Sequence, residues 1–260
     1  MRPVATLRVL AALGVALIAA GCGGSSDTSG NGATVVIGPA GRADVYAAVG
    51  ASETVGVGLT DQPLRLRVAW PQLFYNEALD RAATYYNFGV PGITTGDALQ
   101  RELPAALAVH PTVVSVFLGV DDLARGAPAA TYEANLDALA HALTQSGRAI
   151  VLVANTPRLE GLPAFRACLG DASAGVSCPV PGGVGGVNAA TIDSLVDAYN
   201  AATARVVSRE GAVLVDLHSA SYDLAAHPEY IGADGLHPSP LGHAALARLF
   251  LAAYRQHPRS

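Results

Sequence analysis

The sequence contains no lysine: all 16 basic residues are arginine, against 21 acidic ones, for a formal net charge of -5. The arginines form no basic run. Nucleic acid is therefore not an expected partner, because phosphate neutralisation needs clustered positive charge. Cysteine is scarce at three residues, and after Cys22 only Cys168 and Cys178 remain. No further Cys or His stands at ligand spacing beside them, so no metal site is expected, and no motif calls for a cofactor. Aromatic residues are only 6% of the chain, which leaves no evident platform for stacking sugars. What the chain does have is apolar bulk. At 260 residues and 51% hydrophobic it can bury one large core, and neither an internal repeat nor an interdomain linker divides it.

The first residues read as a targeting segment. Arg2 and Arg8 precede an apolar stretch over 9–20, which is too short to span a membrane comfortably. Ala19-Ala20-Gly21-Cys22 follows and resembles a bacterial lipobox, in which the cysteine becomes the lipidated first residue. Ala19 stands where Leu is more usual, and the alternative is an ordinary secretory signal cleaved near Cys22. Residues 1–21 are thus expected to be a lipoprotein signal peptide, 22–40 a flexible Gly/Ser-rich tether, and 41–257 the folded domain. The expected location is the bacterial cell envelope, through a lipid anchor, with secretion as the alternative. Export would place Cys168 and Cys178 in an oxidising compartment where they can pair.

Five short, almost continuously apolar runs recur along the domain, over 45–49, 84–88, 113–118, 149–154 and 212–217. Such runs suit strands buried on both faces. Between them lie stretches of helical period. Leu136, Leu139 and Leu143 follow Tyr132 on one face. Ile192, Leu195, Val196, Tyr199 and Val206 share another, with Asn188 or Thr191 as a possible cap, and 241–254 makes a last helix. Strand and helix in alternation predict one α/β domain with a parallel sheet covered on both faces. The Gly/Pro-rich stretch 159–187 breaks the pattern and reads as an inserted loop carrying the cysteine pair, at the rim of a pocket or as a lid.

Ligands sit at the carboxyl ends of the strands in such sheets, and Ser52, Gly92 and Gly119 each follow a strand end. Ser52 lies in Gly50-Ala51-Ser52-Glu53-Thr54, directly after an apolar run. Asp234-Gly235-Leu236-His237-Pro238 places an acid three residues before a histidine. That segment can supply both an orienting carboxylate and a general base, and Ser52 can be the nucleophile they serve.

With these blocks in view, the chain resembles an SGNH hydrolase of the GDSL esterase/lipase family, over about 44–254. Gly50-Ala51-Ser52-Glu53-Thr54-Val55-Gly56 stands for the first block, and Asn87-Phe88-Gly89-Val90-Pro91-Gly92 for the second. Gly119-Val120-Asp121-Asp122-Leu123 resembles the third. Asp234 to Pro238, continued by Ser239-Pro240-Leu241-Gly242-His243, resembles the last. The resemblance implies a three-layer α/β/α, flavodoxin-like fold with a five-stranded parallel sheet. It implies Ser52 as nucleophile, His237 as base, Asp234 as its partner, and the Ser52 and Gly92 amides as oxyanion donors. Two departures stand out. Ala51 replaces an Asp that performs no chemistry. Asp121 replaces an Asn that donates an amide N–H to the oxyanion, and an ionised carboxylate has no donor to offer. Asp121 can be protonated and still donate, the two amides can carry the hole alone, or the protein can be weakened as a catalyst.

The expectation is a serine hydrolase of carboxylic esters working through an acyl-enzyme, a small-acyl esterase or a lysophospholipase/lipase-like enzyme, with the scarcity of aromatic residues leaning towards small acyl groups. A small-molecule, lipid or acylated-glycan ester is the partner, membrane contact is through the anchor only, and the chain is expected to act as a monomer. The rival readings are a surface-anchored binding module with weakened catalysis, and a thioesterase or acyltransferase using the same residues. Asp122 reads as a loop hydrogen-bonder, Asp216 as the end of the fifth strand and His243 as packing on the last helix. His110, His141, His218, His227 and His257 read as surface residues, and Tyr85 and Tyr86 as strand packing.

Overall fold

A computed structural model describes residues 43–59, 67–145, 147–179, 188–218 and 222–257. The signal segment, Cys22 and the tether expected for residues 1–40 lie outside the described residues. The strands are β1 (Val45–Gly50), β2 (Thr84–Asn87), β3 (Val113–Phe117), β4 (Ile150–Ala154) and β5 (Val213–Val215). They form a parallel sheet in the order β2-β1-β3-β4-β5. This is the flavodoxin-like doubly wound order, with its switch point between β1 and β3. All five predicted runs are strands, each shortened by a residue or more at an end, except β1, which gains Gly50. Burial on both faces explains why the central strands are legible: every residue of β3 is buried, whereas the edge strand β2 is mostly exposed.

Among the helices, α1 (Trp70–Ala78) packs against α8 (Pro240–Arg255). Trp70 stacks on Phe250 with ring centroids 4.1 Å apart, and Phe74 meets Tyr46 of β1 at 5.1 Å. Aromatic pairs of this kind add about 0.5–1.5 kcal/mol each beyond area burial. The second layer holds α2 (Thr95–Arg101), α3 (Leu103–Ala108), α5 (Ala129–Thr144) and α7 (Ala189–Glu210). There Tyr132 stacks on Tyr199 at 4.4 Å, and the Tyr132 hydroxyl pairs with Thr203 Oγ1 at 2.9 Å. Asn188 caps α7 by accepting the Thr191 N–H. Leu195, expected on the buried face of α7, is instead 38% exposed, at the edge of the apolar stripe.

Two further helices stand at the strand ends: α4 (Val120–Ala124) after β3, and α6 (Pro163–Cys168) inside the stretch read as a loop. Cys168 and Cys178 are joined as a disulfide with Cα atoms 4.5 Å apart. Residues 180–187 of that stretch lie outside the described residues.

Candidate active site

Three strand ends and one C-terminal segment build the site. At the end of β1, a Cβ on Gly50 would lie 2.3 Å from Thr54 Oγ1 and 2.6 Å from the Phe117 carbonyl, so only glycine admits the crossing. The chain then turns: Val57 N–H donates to the Ser52 carbonyl at 3.0 Å. Ser52 is left 9% exposed at the turn. Its Oγ donates to Glu53 Oε2 at 3.3 Å, and no hydrogen bond joins it to His237.

At the end of β2, Asn87 works as a clasp. Its amide donates to the Thr54 carbonyl at 2.7 Å, and its oxygen accepts the Gly89 N–H at 3.0 Å. The Gly89–Gly92 turn is thereby fixed against the Ser52 turn. Gly92 has φ +74°, in the left-handed region, and its carbonyl accepts from Arg125 Nη2 at 2.5 Å. Past β3, Asp122 is 2% exposed and accepts both the N–H and the hydroxyl of Thr95 at 2.9 Å. It ties α4 to the start of α2, as a loop hydrogen-bonder does.

The last segment brings the acid and base. His237 Nδ1 lies 2.7 Å from Asp234 Oδ2, while Asp234 Oδ1 accepts the Leu236 and His237 N–H groups at 3.0 Å each. Burial raises the Asp234 pKa, but the two N–H groups and His237 together outweigh it and hold the carboxyl below its ordinary range. The segment is wedged in place. A Cβ on Gly58 (φ +93°) would lie 2.6 Å from the His237 Cβ, and one on Gly235 would lie 2.9 Å from both Pro163 and Val176. Val176 belongs to the loop closed by the disulfide, so that loop props the histidine segment. His243 packs beneath, fully buried, accepting the Trp70 N–H on Nδ1 at 3.2 Å. Burial first, and then His237, push it down to about 4, so it stays neutral.

Ser52, Gly92, Asp121 and His237 line one cleft of about 720 Å³. Glu53 and Arg125 are its other charged residues, and Val57, Leu123, Phe165, Ile192 and Leu195 form apolar wall. Cys168 and Pro179 reach its edge, so part of the inserted loop is indeed rim. Asp121 is pushed up to about 6, by burial first and then by the Glu53 charge, with Asp122 adding and Arg125 and His237 opposing. The structure therefore sets Ser52, Gly92, Asp121 and His237 on one cleft with Asp234 beside His237, while Cys22 lies outside the described residues, and it gives contacts to Glu53, Asn87 and Gly58. Glu53 was quoted in the first block without a role. Only its position next to Ser52 could have signalled one. Gly58 could have been noticed as the third glycine in nine residues of a turn.

A parallel α/β sheet carrying such a cleft at its strand ends defines a class by fold, the doubly wound α/β proteins, and leaves the chemistry to the site. Residues 48–245 match the model of the GDSL-like lipase/acylhydrolase family, and the chain belongs to that family. It is an ester hydrolase. Among solved structures, it resembles the lipase/acylhydrolase from Enterococcus faecalis at 24% identity and TM-score 0.57, over 80% of this chain and 94% of that one. The GDSL-like lipase from Parabacteroides merdae superposes with TM-score 0.62 at 18% identity, over 82% and 95% of the two chains. The psychrotrophic esterase EstA from a Pseudoalteromonas species, inhibited by monoethylphosphonate, gives TM-score 0.57 at 18% identity, over 82% and 97%. These likenesses concern the fold. No match was found among curated proteins.

Proposed function

We propose that the protein cleaves carboxylic esters through an acyl-enzyme on Ser52. The observation that carries this reading is the 2.7 Å His237–Asp234 pair facing the same cleft as Ser52. Ser52 Oγ turns from Glu53 to His237 Nε2 once substrate is bound, since resting catalytic hydrogen bonds are often unmade. His237 takes the hydroxyl proton as Oγ attacks the carbonyl carbon, and Asp234 holds the imidazole tautomer and stabilises its charged form. The Ser52 and Gly92 N–H groups receive the oxyanion. His237 returns the proton to the leaving alkoxide. Water then attacks the acyl-enzyme by the same route and releases the acid.

Asp121 occupies the third donor position. When protonated it offers an O–H to the oxyanion; when ionised it repels that charge. Burial and Glu53 both favour the protonated form. The apolar wall of the 720 Å³ cleft favours an acyl or alcohol group larger than acetyl, within the size range of sites for small ligands. A fluorophosphonate probe tests the assignment: labelling of the protein should vanish in Ser52→Ala. Folded wild-type protein that takes no label would instead indicate a binding module. p-Nitrophenyl esters of rising chain length, beside matching thioesters, test the substrate preference.

We also propose that Cys22 is lipidated and tethers the enzyme to the cell envelope, on the strength of Ala19-Ala20-Gly21-Cys22. Fatty-acid labelling that persists in Cys22→Ser would overturn this.

A further inference from the structure

Glu102 is the most deeply buried carboxyl among the described residues, at 1% exposure, and the mechanism above does not use it. It stands at the junction of α2 and α3, where the backbone stays helical, and its side chain enters the protein beneath the site. Oε2 accepts the Gly50 N–H at 2.9 Å, and the Val90 N–H lies near enough to favour the charged carboxyl. Gly50 lies two residues before Ser52 and Val90 two residues before Gly92. Through Gly50 this one carboxyl is thus tied to the two loops whose amides face the oxyanion. They also meet directly, Val90 N–H donating to the Gly50 carbonyl at 2.9 Å. Oε1 is buried without a partner.

A carboxyl is a costly choice for a purely structural tie, since an amide or a hydroxyl could accept the same N–H groups without the risk of a buried charge. We propose that Glu102 is the positioning residue of the oxyanion hole, its carboxyl holding the Ser52 loop and the Gly92 loop at the separation the oxyanion requires. The inference rests on the assignment of Ser52 and Gly92 as hole donors. Burial, opposed by the Gly50 and Val90 N–H groups and by Arg101, pushes Glu102 up to about 8. Arg101, next to it in the chain, is the charged group acting on it; the β1 and β2 ends that face it act through backbone N–H alone. At neutral pH the carboxyl is therefore held uncharged. Ionisation above pH 8 places a negative charge behind the hole, where it opposes the oxyanion.

The test compares wild type, Glu102→Gln and Glu102→Ala on a p-nitrophenyl ester, with folding checked by circular dichroism. Gln keeps an acceptor for the Gly50 N–H but cannot ionise. It should hold kcat near neutral pH within a few-fold and, in the Asp121→Asn background where the Asp121 fall is absent, abolish the fall of kcat above pH 8. Ala should lower kcat by about 10²-fold, as loss of an oxyanion donor does, with KM changed less than about two-fold. A folded Ala variant with unchanged kcat, or one altered only in KM, overturns the proposal. So does a Gln variant that retains the fall above pH 8 in the Asp121→Asn background, and this arm stands even where the Ala variant does not fold. Ser52→Ala run alongside separates the two levels: its residual hydrolysis would remove the assignment of Ser52 itself. Loss of hydrolysis in Ser52→Ala with no effect at Glu102 would remove this inference alone.

Discussion

Replacing Asp121 with Asn should raise the rate of ester hydrolysis, and by an amount that depends on pH. The Asp121 carboxyl faces the cleft beside Ser52, Gly92 and His237, and burial together with Glu53 pushes it up to about 6. The sign follows from which form can donate. Below pH 6 the acid carries an O–H for the oxyanion; above it, the donor is gone and a negative charge stands in its place. At pH 8, two units higher, only about one molecule in a hundred keeps the proton. A missing oxyanion donor costs on the order of 10²–10³ in rate. The wild type should therefore run about 10²-fold below Asp121→Asn at pH 8, with the two converging near pH 5. The assay is kcat and kcat/KM for a p-nitrophenyl ester from pH 5 to 9, on protein shown to be folded throughout. A variant rate that is unchanged or lower at pH 8, or a ratio independent of pH, would refute the reasoning.

Glu53→Gln removes the charge that helps Asp121 hold its proton, so the fall in wild-type rate above pH 6 should move to lower pH; the same pH profile reads it. Gly58→Ala forces a Cβ to within 2.6 Å of His237 at φ +93°, and should cost about 1–3 kcal/mol of stability while displacing the base. Thermal melts and kcat together check this, and a fully active Gly58→Ala variant would show that the packing is not needed. Replacing Cys168 and Cys178 by Ala opens a loop of sequence separation 10, worth about 2.7 kcal/mol in the chain-entropy model. Because Val176 in that loop packs on Gly235, kcat should drop along with the melting temperature, whereas a purely stabilising crosslink would leave kcat alone.

How much could be read from the chain follows from what each feature depends on. The central strands were legible because residues such as Val113, Val114 and Val116 are buried from both sides and must all be apolar. Helix α7 was legible through its cap at Asn188 and its stripe from Ile192 to Val206. The short helices α2, α3, α4 and α6 were not foreseen, since five to seven residues hold too little of a 3.6-residue period to register. Leu195 kept the helical spacing but lines the cleft, because periodicity gives a stripe and not its edges.

The chemistry divides in the same way. Asp234 and His237 are three residues apart, so local geometry alone lets one carboxylate accept two N–H groups and still meet the imidazole at 2.7 Å. The sequence could also declare Asp121 a misfit, because an ionised carboxylate lacks the donor an amide has. What it could not supply is distance across the chain. Gly58 admitting His237 and Glu102 reaching under the Gly50 turn are both packing outcomes. The same burial that closes those contacts moves the protons on Asp121 and Glu102, because a carboxyl titrates by its surroundings, and only the folded sheet brings those surroundings together.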